Sequence, residues 1–298
     1  MLSGSQAKPG RYWAFFNGGV VMSGNAAFVW FLYKTAPGRF FLRFIRLLHL
    51  DWLAVRFLKS SCSRPLIRWY IARHGVALDA EEIKRFRSFR DFFARERKGV
   101  AIDENSSHLI SPCDGWLRAY PIRADSAFLI KGSLYRVKDF IHDEALAQKY
   151  EGGTCFVFRL CASDYHHYCY IDDGYQGANH YIPGELHSVQ PIACETYPVF
   201  TLNRRSWCLM TTENFGLVVQ TEIGALIVGG IYNPIENARI CRGMEKGRFE
   251  LAGSTIVLLF EKNRVRLLPN LRADLKEIRV SQGMWIGIGD MDGEGNKR

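Results

Sequence analysis

A continuous apolar run, Ile256-Val257-Leu258-Leu259-Phe260, is closed by Glu261-Lys262-Asn263 and comes directly after a knot of small residues, Ala252-Gly253-Ser254-Thr255. Five apolar residues without polar alternation read as a buried β-strand, which commits the chain to a sheet core. The same spacing puts a serine, preceded by a glycine, at the mouth of a rigid element. Gly253 leaves its own carbonyl sterically open, and a Ser254 hydroxyl there can attack it, one way in which a chain cuts itself. A simple turn is the plainer reading of Gly-Ser-Thr before a strand, so the rest of the chain has to decide.

Most of the chain beyond residue 100 has the same character. Short apolar runs at 156–160, 217–223, 226–231 and 265–268 are separated by Gly, Asn and Asp. Runs 208–212 and 217–223 flank Glu213-Asn214-Phe215-Gly216, a hairpin signal. One helical interlude is expected over 137–149, and the tail after Gly289 is small and polar. The fold class this predicts is α+β: a helical basic N-terminal region over 1–99, then a mostly antiparallel β-rich body over 100–298.

The N-terminal third differs in charge as well as in period. Residues 1–99 carry 18 Lys and Arg against 6 Asp and Glu, whereas the remaining 199 carry 21 against 24. An anionic partner would meet the N-terminal end. No nucleic-acid-binding motif accompanies the charge, so nucleic acid is not the expected partner. Residues 12–33 form an uncharged stretch of 22 residues, but Asn17, Asn25 and several glycines dilute it, and Asn17-Gly18-Gly19 suggests a hairpin turn. Residues 38–60 come after Pro37, a helix-starting residue. Arg39, Arg43 and Arg46 share one face there, and Phe40, Phe41, Phe44, Ile45, Leu47, Leu48 and Trp52 cover much of the rest. Such a helix suits an in-plane membrane interface, with apolar bulk for the acyl boundary and cations for lipid phosphates. A further helix is expected over 65–74 with Gly75 as its cap, and another starting at Ser88. The basic stretch through Lys98 and Gly99 reads as a boundary. The eight cysteines form no C-x-x-C pair, and most of them read as buried thiols of a reducing compartment.

Three stretches of the body concentrate polar chemistry. Ser111-Pro112-Cys113-Asp114-Gly115 holds a carboxylate on a tight turn. Asp164-Tyr165-His166-His167-Tyr168-Cys169-Tyr170 gathers two imidazoles, a thiol and phenols, suited to proton transfer near neutrality. Two adjacent histidines and one cysteine supply too few ligands for a metal. The third stretch is the knot at Gly253-Ser254-Thr255.

In this order the three stretches resemble the phosphatidylserine decarboxylase family, whose members carry an S-P-x-D-G turn, a D-Y-H-R-x-H loop and a G-S-T cleavage site before an apolar strand. Gly247-Arg248-Phe249, Phe86-Arg87-Ser88-Phe89-Arg90-Asp91-Phe92-Phe93, Val199-Phe200-Thr201-Leu202-Asn203 and Glu213-Asn214-Phe215-Gly216 are softer matches. The resemblance implies self-cleavage between Gly253 and Ser254, leaving residues 1–253 and 254–298 as the two chains of a heterodimer. It also implies a covalent pyruvoyl group derived from Ser254, an electron sink in the role pyridoxal phosphate plays elsewhere. The implied reaction turns phosphatidylserine into phosphatidylethanolamine and CO2, by an enzyme peripheral to the cytoplasmic face of the cell membrane, with its phospholipid substrate and an anionic membrane surface as partners. A homo-oligomer is left open.

One position departs from the pattern. The family's second loop histidine, which with Asp and Ser completes the relay for self-cleavage, is Cys169 here, and His167 stands at the Arg position. His166, which the resemblance assigns to decarboxylation, is retained. Maturation would then run through Asp114, Ser254 and either Cys169 as a thiolate or His167 as an imidazole. A decarboxylase of a soluble amino acid and an uncleaved lipid-binding pseudoenzyme are the competing readings.

Overall fold

The computed structural model describes residues 14–16, 19–21, 24–48, 50–76, 78–97, 99–130, 133–161, 163–225, 230–251, 254–269 and 277–289. Asn17, Gly18, Lys98, Leu226, Gly253 and the tail after Gly289 lie outside them. The chain divides into two compact units, Met1–Leu48 and His49–Arg298. The secondary structure changes from helix to strand between Phe93 and His108, within the second unit.

In the first unit, strands β1 (Ala14–Phe16) and β2 (Gly19–Val21) pair antiparallel, and helices α1 (Gly24–Lys34) and α2 (Ala36–Leu47) come after them. The second unit opens with α3 (Leu50–Lys59), so the expected single helix over 38–60 is two. Helix α4 (Pro65–His74) starts on its proline and ends at Gly75, whose φ of +66° lets its N–H return to the Ile71 carbonyl. Helix α5 (Ala80–Arg85) has a capping box between Asp79 and Glu82. Helix α6 (Phe89–Phe93) begins at Ser88, whose hydroxyl accepts from the Asp91 N–H at 3.2 Å. No described helix is long and apolar enough to cross a membrane.

The body contains strands β3 (His108–Ile110), β4 (Gly115–Pro121), β5 (Ala127–Ile130) and β6 (Ser133–Arg136). Where one helix was expected over 137–149 there are two, α7 (Val137–Ile141) and α8 (Glu144–Gln148). His142 enters the left-handed region at φ +55° and Asp143 caps the new turn, so the helix cannot run through. Strands β7 (Thr154–Leu160), β8 (His167–Cys169), β9 (Gly174–Gln176), β10 (His180–Ile182), β11 (Arg205–Thr212), β12 (Gly216–Ile223), β13 (Ile231–Tyr232), β14 (Ala238–Ile240), β15 (Glu245–Phe249) and β16 (Ser254–Phe260) come next. The last are β17 (Val265–Leu267), β18 (Ile278–Val280) and β19 (Trp285–Gly289). The main sheet runs β14-β9-β11-β12-β16-β7-β4-β18, with β10 also on β11, and its neighbouring strands pair antiparallel throughout. Smaller sheets β13-β15-β8 and β17-β19-β3 and the hairpin β5-β6 complete the body.

Strand β16 lies in the middle of this sheet and all seven of its residues are buried, which is why its apolar run lacks alternation. Ile256, Leu258 and Phe260 share one core with Phe156, Phe158 and Leu160 of β7, Cys208 and Met210 of β11, and Tyr168, Cys169 and Phe249 from the smaller sheet. Side chains alternate along a strand, so Ser254 belongs to the face of Ile256. That core is where the polar stretches converge.

Candidate active site

Ser254 is the first residue of β16 and pairs with Leu160, while Thr255 pairs with Arg159 and Ile223 on its two sides. Its hydroxyl is buried and has no hydrogen-bond partner among the described residues. An unmet buried hydroxyl costs on the order of 1–3 kcal/mol, a cost that core serines usually avoid.

Asp114 closes the turn that leads into β4. Trp116 pairs with Arg159, so Gly115 sits beside Leu160, where an added Cβ would stand 2.9 Å from the Arg159 carbonyl oxygen. Only glycine permits that approach, and it fixes Asp114 about 10 Å, two strand spacings, from the Ser254 row. The Asp114 carboxylate accepts from Arg97 Nη1 at 2.8 Å, Arg97 Nη2 at 3.2 Å and the Gln282 N–H at 2.9 Å.

The histidine loop is anchored by Asp164, whose carboxylate accepts from the Cys161 N–H and from Arg279 Nη2, both at 2.7 Å. His166 Nδ1 lies 2.8 Å from the Asp164 carbonyl. A carbonyl can only accept, so Nδ1 carries the proton and the Nε2 lone pair is left free. Nε2 is buried without a partner among the described residues. Burial pulls the His166 pKa down to about 4, against the opposing pull of the Asp164 carbonyl, so near neutrality the ring is an uncharged base. The Phe93 ring lies 4.3 Å from it, and Phe249 approaches edge-on at 6.4 Å.

His167 and Cys169 are placed differently. His167 Nε2 donates to the Ala94 carbonyl at 3.0 Å, and Nδ1 lies 3.1 Å from Glu245 Oε1, an ion-pair distance without hydrogen-bond geometry. Both of its nitrogens face oxygens, and the ring stacks 4.8 Å from Tyr165. The Cys169 N–H bonds the Pro112 carbonyl at 2.9 Å, which joins β8 to the Asp114 turn. Burial pushes the Cys169 thiol up to about 12, opposed by the Gln282 side chain lying against it. At neutral pH it is a thiol, not a thiolate.

Four groups that sequence reasoning missed complete the site. Residues 89–97, read as a helix start and a linker, form a strap that reaches the Asp114 turn, the histidine loop and the segment just before Ser254. Arg90 pairs with Glu250, and Phe93 packs on Leu251 as well as His166, just upstream of the expected cleavage position. Ala94 receives His167 and Arg97 holds Asp114. Gln282 joins Asp114 to Cys169. On the Ser254 face of β12, Glu222 and Lys246 form an ion pair at 2.8 Å with neither side chain exposed. Burial pulls the Lys246 ammonium down, but Cys208 and Glu222 outweigh it and hold its pKa above the ordinary value. Glu222 also accepts from Gln220 at 3.0 Å and from Asn233 at 2.8 Å, and Asn233 accepts from Tyr168 at 2.7 Å. No short motif signalled these groups, because each acts through a partner distant in sequence.

The Ser254 hydroxyl and the His166 Nε2 are both buried and both without partners among the described residues, which makes them the candidate reactive groups of the site. Comparison with known proteins gives the family. The phosphatidylserine decarboxylase family profile matches residues 89–287. Relatives include phosphatidylserine decarboxylase proenzyme 2 of Clostridium acetobutylicum, 38% identical over 86% of this chain and 90% of its own length. The phosphatidylserine decarboxylase proenzyme of Clostridium beijerinckii is 41% identical over 71% of this chain and 74% of its own. That of Ruminiclostridium cellulolyticum is 36% identical over 86% and 89%. The chain belongs to the phosphatidylserine decarboxylase family.

Proposed function

We propose that this chain decarboxylates phosphatidylserine at a membrane surface, using a pyruvoyl group that it makes by cutting itself between Gly253 and Ser254. The observation that carries the reading is the Ser254 hydroxyl, buried at the head of a central strand with no partner among the described residues. Conversion of this residue to a pyruvoyl cap breaks no hydrogen bond of its side chain. The small chain would also stay in place after cleavage, because β16 remains paired with β12 and β7, β18 with β4, and β19 with β3.

In maturation, Ser254 Oγ bonds to the Gly253 carbonyl carbon and gives up its proton. The Gly253–Ser254 C–N bond breaks, moving the acyl group from nitrogen to oxygen. β-Elimination then releases the Gly253 carboxylate, and water displaces ammonia from the dehydroalanine that remains. The proton from Oγ needs a base. Cys169 is a protonated thiol; His166 Nε2 and His167 Nδ1 are both buried lone pairs without a hydrogen-bond partner among the described residues, and we assign His166 Nε2 as the base because His167 Nδ1 faces the Glu245 carboxylate. Asp114 acts on the turn and strap that hold β8, through Arg97 and Gln282.

A pyruvoyl carbonyl at the N-terminus of residue 254 would supply the sink for the electron pair left on the substrate carbon when CO2 departs. His166 Nε2, uncharged near neutrality, can accept a proton shed by the substrate amine and return it to the carbon that CO2 leaves, with the Phe93 and Phe249 rings packed beside it. The membrane part of the reading is supported by α2 and α3, which expose Phe40, Phe44, Leu47, Trp52 and Phe57 to solvent.

Intact mass under denaturing conditions tests the proposal. It expects two chains, the smaller starting at residue 254 with a pyruvoyl in place of serine. A single chain of 34.1 kDa in protein that still binds vesicles would sink it in favour of a lipid-binding pseudoenzyme.

A further inference from the structure

Three guanidiniums around the site, two from the strap and one from β18, are matched to carboxylates one by one. Arg90 pairs with Glu250, Arg97 with Asp114 and Arg279 with Asp164. Arg95 differs, with no carboxylate partner among the described residues. It donates to the Phe92 carbonyl at 3.1 Å, and its guanidinium carbon lies 4.7 Å over the Phe92 ring. Burial lowers its pKa, and the groups that oppose this are phenols, not acids. It is also near enough to His166 to lower the basicity of that ring. A half-buried cation beside an uncharged base, held flat by an aromatic face and otherwise unmatched, is a place for an anion.

We propose that Arg95 receives the phosphodiester of the substrate headgroup and so selects phosphatidylserine over free serine; this rests on the decarboxylase reading of the site. The substrate brings two anions, and the chemistry treats them differently. The carboxylate leaves as CO2, so a cation bound to it would oppose the reaction. The phosphodiester keeps its charge from substrate to product, and a cation bound to it holds both equally well. Such a residue contributes uniform binding, which appears in KM and not in kcat. Arg248, another guanidinium near the loop without a carboxylate partner among the described residues, is stacked 4.2 Å over Tyr232 in the smaller sheet.

The test uses full-length protein and short-chain phosphatidylserine below its micelle concentration, so that vesicle binding plays no part. Intact mass is read first, because an uncleaved wild-type chain would overturn the pyruvoyl reading and this inference with it. In cleaved protein, R95M is expected to raise KM roughly tenfold to a hundredfold, the range for losing a hydrogen bond to a charged group, with kcat within about twofold. R95K should recover part of the loss. Glycerophosphoethanolamine should inhibit wild type at least about tenfold more tightly than ethanolamine does, an arm that stands even if R95M does not fold. Cleaved R95M with an unchanged KM would overturn the inference alone. Equal inhibition by the two amines, or a fall in kcat at constant KM, would also overturn it.

Discussion

Arg97 grips Asp114 through two hydrogen bonds of 2.8 and 3.2 Å, joining the strap to the turn that opens β4. The two ends of the pair are not equivalent, since the Arg97 side chain is 43% exposed and that of Asp114 only 10%. Removing the exposed partner leaves a carboxylate that still accepts from the Gln282 N–H. Removing Asp114 leaves that N–H and a guanidinium without an acceptor. R97M should therefore cost under about 1 kcal/mol once solvent screening is allowed for, and D114A about 2–3 kcal/mol. Urea unfolding of both variants checks this, and equal losses would show that Gln282 does not depend on the carboxylate.

His166 makes stability and activity depend on pH in a stated direction. Its folded pKa, about 4, lies below the ordinary histidine value of 6.5, so between these values the unfolded chain binds more protons. Stability is then fully present above pH 6.5 and is lost as pH falls through 4, by at most about 3 kcal/mol. H166Q should flatten this part of the curve in urea titrations at pH 7 and 4.5. For the same reason the acid limb of kcat for wild type should lie well below pH 6.5. An acid limb at 6.5 would mean that some other group is the base.

Cys169 and His166 can be separated by their effects on cleavage. Burial pushes the Cys169 thiol up to about 12, which leaves little thiolate at neutrality, so C169S should self-cleave within about twofold of wild type. H166A should leave the chain uncut. The opposite pattern on a denaturing gel, with C169S intact and H166A cleaved, would return the relay to the position that the family resemblance implies.

The sheet core, the buried β16, the hairpin of β11 and β12, and the caps at Gly75 and Ser88 were legible because local periodicity and turn chemistry determine them. The breaks in the helices were harder to read. The one within 137–149 depends on His142 taking a left-handed conformation that no glycine announces. Ser254, Asp114 and His166 were legible as residue types in a known order, but their partners were not. Arg97 meets Asp114 across 17 residues, Ala94 meets His167 across 73, and Gln282 meets Asp114 across 168. A basic stretch such as 94–97 has no apolar period, so sequence reads it as linker, although its backbone and side chains close the site.

Membrane binding should track the exposed apolar residues of α2 and α3. Phe40 is 70% exposed, Leu47 77% and Trp52 59%, and each gains roughly 1.5–3 kcal/mol when its apolar surface leaves water. The triple variant F40S/F44S/L47S should lose at least about tenfold in binding to vesicles containing phosphatidylserine. Wild-type binding should weaken as salt rises, because arginines on the same segment meet lipid phosphates. Flotation that is unchanged in the triple variant would place the membrane contact elsewhere.

The Lys246–Glu222 pair supports the site from below. Its ammonium is 2.8 Å from Glu222 Oε1, although off the axis of a good hydrogen bond, and both side chains are 0% exposed. Two desolvated charges gain little over an apolar pair of similar volume, but either one alone is strongly unfavourable. K246M and E222L should each cost about 3–5 kcal/mol in urea unfolding, and K246M/E222L should recover most of the loss. The double variant also separates support from chemistry. Glu222 holds Asn233, which holds Tyr168 between His167 and Cys169. If the pair acts only by keeping β8 in register, the stable double variant should still cleave more slowly than wild type, because Asn233 has lost its carboxylate. Single variants no more costly than the double would mean that water reaches the pair, and that Asn233 alone positions the histidine loop.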